Sequence, residues 1–564
     1  MTELPLIVQQ DRTVLLETQH PDFEAARDRL CRFAELEKSP EYVHFYRITP
    51  ISVWNAAALG ETAQSIVDWL VANSRFPVAP AVLQQLEEWH RRYGLLQLVA
   101  AGERLELRSR DLEALRELAA HATVRDLVVC DDAGRCTVAA ADRGVVKQAL
   151  VRLGYPVDDR AGYARGDELP FAMRAQAADG RPFALREYQS AAAAAFHRGG
   201  SDVGGCGVVV LPCGAGKTVV GMAVMHLVQT NTLVLTTNTV AVRQWVRELL
   251  DKTTLGEHQV GEYTGEEKAI RPVTVATYQI LTHRRRRLDA FTHLDLFDRG
   301  GFGLIVYDEV HLLPAPVFRA TAGIQARRRL GLTATLVRED GRQDEVFSLI
   351  GPKRFELPWK QLERQGFLAQ ARCVEVRVPL SAERAARYAR SGRREQFRVA
   401  SDNELKVDVA GALLRRHAQD RVLVIGQFLD QLQQLATVFR VPLITGRTPS
   451  SERERLYAAF RRGELQRLVV SKVGNFAIDL PDANVAIQVS GTFGSRQEEA
   501  QRLGRILRPK AHGATACFYT LVSDGTREQE FGKKRQLFLA EQGYAYAIAG
   551  AAELLAGAPR EERA

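Results

Sequence analysis

Apolar positions along this chain change their period twice. Up to about residue 100 they recur at intervals of three and four, as in "DFEAARDRLCRFAELEKSP" and "AQSIVDWLVANS". That spacing predicts amphipathic helices and a helical N-terminal domain over 1–100. Next, "RLELRS" and "LVVCDDAGRCTVAA" read as strands with a turn at Asp131 to Gly134, and "VVKQALVRLGYPV" returns to helical spacing. Together they predict a small α/β module over 101–165. The stretch "GYARGDELPFAMRAQAADGRPF" is rich in Gly, Pro and charge, and residues 166–182 are expected to be a linker. From 183 onward, short β-branched runs alternate with helical stretches: "CGVVVL", "NTLVLTT", "VTVATY", "FGLIVYD" and "RRLGLTAT". A second series follows, with "RVLVIG", "VPLITG", "RLVVSK", "ANVAIQVS" and "ACFYTLV". Strands that are apolar throughout and separated by helices belong to parallel sheets covered on both faces. The fold class is therefore α/β, with two tandem doubly wound domains over 183–355 and 356–550 and a flexible tail over 551–564.

Composition narrows the class without naming a chemistry. The chain has 564 residues, 46% hydrophobic and 26% charged, with no low-complexity block. Its longest apolar stretch, "YAYAIAGAAELLAGA", is too short for a membrane span and carries Glu553. "MTELPLIVQQ" has no basic leader region, so a cytoplasmic, nucleoid-associated protein is expected. None of the seven cysteines forms a C-x-x-C pair, which argues against zinc and disulfide frameworks and for reduced, mostly buried thiols. The net charge of +8 permits a nucleic-acid partner without requiring one. The run Arg284 to Arg287 is either a solvated loop or a phosphate-contacting one.

The chemistry begins at "LPCGAGKTVVGM". A buried-strand pattern precedes the glycines and a helical pattern follows, so backbone N–H groups and the positive end of a helix can hold phosphates. Pro212, Cys213, Gly214, Ala215 and Gly216 would cradle them, with the glycines allowing close backbone approach. Lys217 would reach the β and γ phosphates, and Thr218 would offer its hydroxyl to Mg²⁺. A second strand, "FGLIVYDEVH", ends in two carboxylates. Asp308 would hold Mg²⁺ through water, and Glu309 would act as general base on the attacking water. Upstream, Gln189 can pair with both a donor and an acceptor on an adenine edge, favouring ATP, and Arg186 would stack or fix the segment. In "EEAQRLGRILRPK", Gln501, Arg505 and Arg508 offer polar and positive groups to the transition state. Arg505 and Arg508, three apart, share a helix face.

Other polar residues fall where strands end. Thr237 and Asn238, and Thr277 and Tyr278, are placed either to contact DNA phosphates or merely to cap helices. Thr333 and Thr335 would couple the nucleotide to the DNA side, or cap a helix. Asp479 would meet the ribose or a domain interface. His311 is expected to couple domains rather than bind metal.

The series Gln189, "GAGKT", "DEVH", "TAT", "SKVGNFAIDLP" and "QRLGRILR" resembles the ordered motif set of superfamily-two helicases. These tolerate a residue such as Leu211 where a longer phosphate loop has glycine. More narrowly, "LTATLVRED" and "EAQRLGRILR" resemble the XPB branch, whose Arg-Glu-Asp element corresponds to Arg338, Glu339 and Asp340, and whose motif V includes Gly474. The resemblance covers most of 105–545. It implies two RecA-like domains, a damage-recognition-like module before them and a short thumb-like segment near 381–410. It also implies an ATP-driven 3′–5′ DNA helicase or duplex translocase that acts in nucleotide-excision-type repair on single-strand/duplex junctions, with a repair nuclease as partner and no membrane. At motif V, Asn475, Phe476 and Ala477 stand where the branch has more polar residues. An ATP-switched docking module and a reannealing translocase are the alternatives.

Overall fold

The computed structural model describes residues 4–38, 42–139, 142–160, 166–200, 205–281, 299–312, 328–334, 346–347, 349–367, 369–471, 483–490, 515–532, 544 and 546–556. Two compact units divide the chain. One comprises Met1–Glu37, Glu41–Leu211 and Gly216–Glu356, the other Lys38–Pro40, Pro212–Ala215 and Leu357–Ala564.

Helices alone do not build the first hundred residues, contrary to the sequence pattern. Strands β1 (Leu6–Val8), β2 (Thr13–Glu17), β3 (Glu35–Lys38) and β4 (Val43–Arg47) form a sheet in the order β1-β2-β4-β3. The helix expected from Asp22 onward stops after Phe23–Leu30, because the chain past it turns into β3. Strands of three to five residues are too short to show a period of two against neighbouring helical spacing. Helices Pro50–Ala58, Ala63–Asn73 and Pro80–Arg92 then follow as expected. Thr49 and Ser52 start the first of these with reciprocal backbone hydrogen bonds.

A mixed sheet comes next, from β5 (Leu96–Ala101), β6 (Arg104–Ser109), β7 (Val128–Cys130), β8 (Cys136–Ala139) and β9 (Val157–Asp159), in the order β7-β8-β6-β5-β9. The turn falls at Asp131 to Gly134, where the Gly134 N–H donates to the Asp131 carbonyl at 2.9 Å. The hairpin register sets Cys130 directly opposite Cys136, and a disulfide joins them. This corrects the expectation of seven reduced, mostly buried thiols. Of the other five, Cys373 is buried and Cys31, Cys206, Cys213 and Cys517 are half-buried.

The first motor sheet contains β10 (Cys206–Val210), β11 (Thr232–Thr236), β12 (Val260–Tyr263), β13 (Val273–Thr277), β14 (Leu304–Asp308), β15 (Arg328–Thr333) and β16 (Lys353–Glu356). All pairings are parallel, in the order β12-β13-β11-β14-β15-β10-β16. The N-terminal region is fastened to it. Trp54 packs on Phe347 with ring centroids 5.8 Å apart, and Asn55 Oδ1 accepts from the Lys353 N–H at 3.0 Å. Asp159 accepts from Arg143 Nε at 2.8 Å and Lys147 Nζ at 3.0 Å. Burial pushes the Asp159 carboxyl up, but the Lys147 and Arg143 charges outweigh it and hold the group well below the usual range.

The stretch expected as a linker is a strap in register with this sheet's helices. The Leu169 N–H donates to the Gln229 carbonyl at 3.1 Å and the Arg174 N–H to the Lys252 carbonyl at 2.9 Å. Those carbonyls end helices Lys217–Val228 and Thr239–Lys252, so the strap satisfies acceptors that a helix leaves unpaired.

In the second unit β17 (Ala371–Val378), β18 (Val422–Gly426), β19 (Leu443–Ile444), β20 (Arg467–Ser471), β21 (Val485–Gln488), β22 (Ala516–Ser523) and β23 (Tyr546–Gly550) form another parallel sheet. Its order is β19-β20-β18-β21-β22-β17-β23. Both motor sheets are thus seven-stranded and parallel, as the expected doubly wound domains require. Helices Ala382–Arg390, Arg393–Ser401 and Leu405–Arg416 occupy the region expected to be thumb-like. The tail expected to be flexible from 551 is a helix over Ala551–Ala556, because Ala551, Leu554 and Leu555 pack against the core.

Beside β22, Lys406 is 0% exposed and donates to Glu528 Oε2 at 2.7 Å and to the Val489 carbonyl at 3.1 Å. Ser401 Oγ and the Ser523 N–H complete the Glu528 carboxylate at 2.7 and 3.0 Å. Lys406→Met leaves that carboxylate buried without its counter-charge, and should destabilise the unit by about 3–5 kcal/mol. Calorimetry should show a markedly lower melting transition, partly restored in Lys406→Met/Glu528→Gln.

Candidate active site

Strand β10 delivers the chain to the glycine loop. Leu211 is buried, and its N–H donates to the Thr333 carbonyl at 2.9 Å, extending β10 beside β15. Just past the strand end, the chain still runs beside β15 and buries its side chain in the core, which accounts for leucine in place of glycine. Past it, the Ala215 N–H donates to the Pro212 carbonyl at 3.2 Å, and Gly214 and Gly216 take φ of 83° and 81°. Such left-handed backbone is readily available to glycine. A Cβ on Gly216 would lie 2.6 Å from Gln189 Nε2, so Gln189 abuts the loop where it turns into helix Lys217–Val228. Gln189 is only 5% exposed, and its Oε1 accepts from the Arg186 N–H at 3.0 Å, while Arg186 Nη1 donates to the Tyr188 hydroxyl at 3.0 Å.

The end of β14 supplies the carboxylates. Lys217 Nζ lies 3.4 Å from Glu309 Oε1, and His311 Nδ1 lies 3.5 Å from Glu309 Oε2. His311 Nδ1 also shares a 2.7 Å hydrogen bond with Thr333 Oγ1, linking the DEVH segment to the end of β15. Glu309 has a left-handed backbone, with φ of 51°. For a residue other than glycine this costs on the order of 1 kcal/mol, and such strain clusters at functional sites. Asp308 Oδ2 accepts from Trp245 Nε1 at 2.9 Å, and its backbone carbonyl from the Tyr278 hydroxyl at 2.8 Å.

These surroundings drive the two carboxyls apart. Burial and the neighbouring Glu309 charge raise Asp308 to about 6. Burial also pushes Glu309 up, but the Lys217 and His311 charges outweigh it and lower the group overall. The ionised group that can accept a proton at neutral pH is therefore set beside a lysine, with a strained backbone aiming it.

Of the residues expected from sequence, the structure brings together Gln189, Gly216, Lys217, Asp308, Glu309 and Thr333, with His311 as a link. Thr218 sits half-buried in the first turn of the Lys217–Val228 helix. Asn238 caps helix Thr239–Lys252, its Oδ1 accepting from the Ala241 N–H at 2.9 Å and its Nδ2 donating to Thr237 Oγ1 at 3.1 Å. Thr277 is buried at the end of β13. Tyr278 does not suit the DNA contact expected of it. It is 2% exposed and its hydroxyl is committed to Asp308, so it buttresses the carboxylate strand from within. Arg284 to Arg287, Thr335, Arg338, Glu339, Asp340, Gly474, Asp479, Gln501, Arg505 and Arg508 lie outside the described residues. Sequence reasoning missed Trp245, whose spacing with Val242 and Leu249 marks only a core-facing stripe.

The chain is similar to known helicases along nearly its whole length. The ERCC3/RAD25/XPB C-terminal helicase family matches residues 362–559, and the type III restriction enzyme res subunit family residues 182–338. The family described as a helicase conserved C-terminal domain matches residues 6–133. The chain is 53% identical over 564 residues to a "DNA 3'-5' helicase XPB" of Kineococcus radiotolerans, covering 99% of each chain. It is 51% identical over 559 residues to the protein of that name in Mycobacterium tuberculosis, covering 98% of this chain and 99% of the relative. The chain belongs to the XPB helicase family. A more distant relative, the "General transcription and DNA repair factor IIH helicase/translocase subunit XPB" of Antonospora locustae, is 34% identical over 576 residues, 98% of this chain and 82% of that one.

An XPB-family helicase uses ATP, and the residues here fit the divalent cation that accompanies it. Glu309 Oε2 is buried and accepts no hydrogen bond, and Asp308 is held in a setting that disfavours its own charge. Among the described residues no group of three or more His, Cys, Asp or Glu could hold a metal ion. Mg²⁺ characteristically keeps its waters and phosphate oxygens and takes one or two protein carboxylates, as offered here.

Because the folded carboxyl of Asp308 titrates above its ordinary value, its ionisation opposes folding as pH rises through about 6. Asp308→Asn should therefore make the nucleotide-free XPB-family protein more stable by about 1–3 kcal/mol at pH 8. The gain should shrink as pH falls below about 6 and vanish below the ordinary value of 3.8, where the carboxyl is neutral in the folded and the unfolded chain alike. Melting temperatures across pH 4–8 test the sign.

Proposed function

We propose that the chain is an ATP-driven 3′–5′ DNA helicase that works in DNA repair of the excision type. A single observation carries the motor assignment: Lys217 Nζ stands 3.4 Å from Glu309 Oε1, beside an Asp308 held by Trp245. A lysine at the head of a helix after a glycine loop and a carboxylate pair at a neighbouring strand end form the constellation for phosphoryl transfer to water. ATP draws Lys217 to its β and γ phosphates, which releases Glu309 to accept the proton of the attacking water. Asp308 and Thr218 would hold Mg²⁺, which would supply positive charge against the phosphates. Gln189 sits against the loop at the position proposed to meet adenine, with Arg186 fixing the start of its helix. The family's motifs support Gln501, Arg505 and Arg508 as transition-state stabilisers and Asp479 as a ribose or interface contact.

On the DNA side the reading takes Thr237, Asn238 and Thr277, at the strand ends of the first motor sheet, as backbone contacts, with Thr333 coupling them through His311 to Glu309. Thr335, Arg338, Glu339, Asp340 and Gly474 join them by motif. Contacts to phosphates give sequence-tolerant binding that weakens steeply with salt. The repair role, and a nuclease partner acting on the opened strand, rest on the family likeness.

Lys217→Ala should lower DNA-stimulated ATP turnover by about 100-fold or more while leaving duplex binding within about threefold. Turnover at the parent rate would show that the loop is not the phosphate site. Strand displacement from a 3′-overhang duplex tests the helicase directly: turnover without displacement points instead to an ATP-driven switch.

A further inference from the structure

Trp245 is 1% exposed on helix Thr239–Lys252, well away in sequence from the glycine loop and the carboxylates. A buried indole must find an acceptor for its N–H, and this one takes Asp308 Oδ2 at 2.9 Å rather than a backbone carbonyl. The Asp308 carboxyl also receives the Glu309 N–H, while the Tyr278 hydroxyl fixes the carbonyl behind it. The other edge of the indole lies against helix Lys217–Val228. A Cβ on Gly221, one turn beyond Lys217, would come within 2.5 Å of Trp245 Cη2. The ring is therefore clamped between the helix that carries Lys217 and Thr218 and the carboxylate that ends β14. Phenylalanine would fill most of this volume but could not hold the carboxylate.

We propose that Trp245 is a positioning residue for the divalent cation. Its N–H occupies one Asp308 oxygen and so fixes the plane in which the carboxylate meets the ion, with Gly221 as the notch that lets the ring reach. The inference rests on the reading of Asp308 as the cation-holding carboxylate. Groups that orient a metal-facing ligand are commonly worth about 10–100-fold in affinity or activity.

Mn²⁺ binding to the full chain with saturating ADP, followed by electron paramagnetic resonance, separates positioning from packing. Trp245→Phe should weaken Mn²⁺ affinity about tenfold. The Mg²⁺ concentration for half-maximal ATP turnover should rise to a similar extent, while KM for Mg²⁺–ATP at saturating metal stays within about threefold. A purely structural tryptophan would lower the melting temperature and leave Mn²⁺ affinity unchanged, and that result overturns the proposal. Gly221→Ala keeps the indole but pushes it off its seat, and should weaken Mn²⁺ in the same direction. If Trp245→Phe does not fold, unchanged affinity in Gly221→Ala counts against the proposal just as firmly. Asp308→Asn is the control: Mn²⁺ affinity unaltered there would sink the reading of the site, whereas a loss there with none in Trp245→Phe sinks only the role of the indole.

Discussion

Two carboxyls adjacent in sequence at the end of β14 share one low-dielectric corner, and the rest of the site is arranged around the repulsion between them. Burial disfavours both charges, and the Glu309 charge disfavours that of Asp308 further. The fold resolves this unequally. Glu309 receives Lys217 and His311 and stays ionised, while Asp308 receives one indole N–H and one backbone N–H and is left raised. A site that neutralised both would be more stable and would have little use for a cation. This one leaves Asp308 with a deficit of positive charge.

Sheet order explains why the deficit is local. In β12-β13-β11-β14-β15-β10-β16 the glycine loop leaves the end of β10, the carboxylates leave β14, and β15 between them brings Thr333 to His311. Ligands of open parallel sheets gather beyond the carboxyl ends of the strands, where neighbouring connections depart in opposite directions. The opposite end of the same sheet is where the N-terminal region and the strap attach, through Lys353, Arg329 and the final carbonyls of two helices. The N-terminal 160 residues are thus fastened to the motor sheet without occupying the end at which the glycine loop and the carboxylates gather.

Much of this was legible in the sequence because the two periods that matter are long and strong there. Apolar runs such as "GLIVYD" end in carboxylates only where a buried strand meets water or a site, and the glycine loop lies between unmistakable strand and helix patterns. The losses have physical causes. β1 to β4 are too short to establish alternation between helices, and their pairing is decided by packing. Cys130 and Cys136 become partners only once the hairpin register is set. Tyr278 follows a strand end and looks available to solvent, yet its hydroxyl turns inward to a carbonyl 30 residues on. Trp245 could not be found from its spacing, because its acceptor lies 63 residues away and its helix position is that of any core aromatic.

Among the described residues, buried carboxylates differ in how fully the fold satisfies them, and Glu309 combines an unmet acceptor with backbone strain. Asp159 is held by Arg143 and Lys147, and Glu528 by Lys406, Ser401 and the Ser523 N–H. Both carboxylates are saturated by donors from their own fold, which is how a structural ion pair offsets the cost of leaving water. Glu309 faces Lys217 on one oxygen and His311, at 3.5 Å, on the other; that second oxygen is buried and accepts no hydrogen bond, with a strained backbone beneath it. Selection for stability alone would remove both the strain and the unmet acceptor. Both persist at a strand end next to Lys217, where the proposed reading puts a proton acceptor. Incomplete satisfaction of charge alone does not set this corner apart, since Glu363 also buries an oxygen without a hydrogen bond; its coincidence with backbone strain and a facing lysine does.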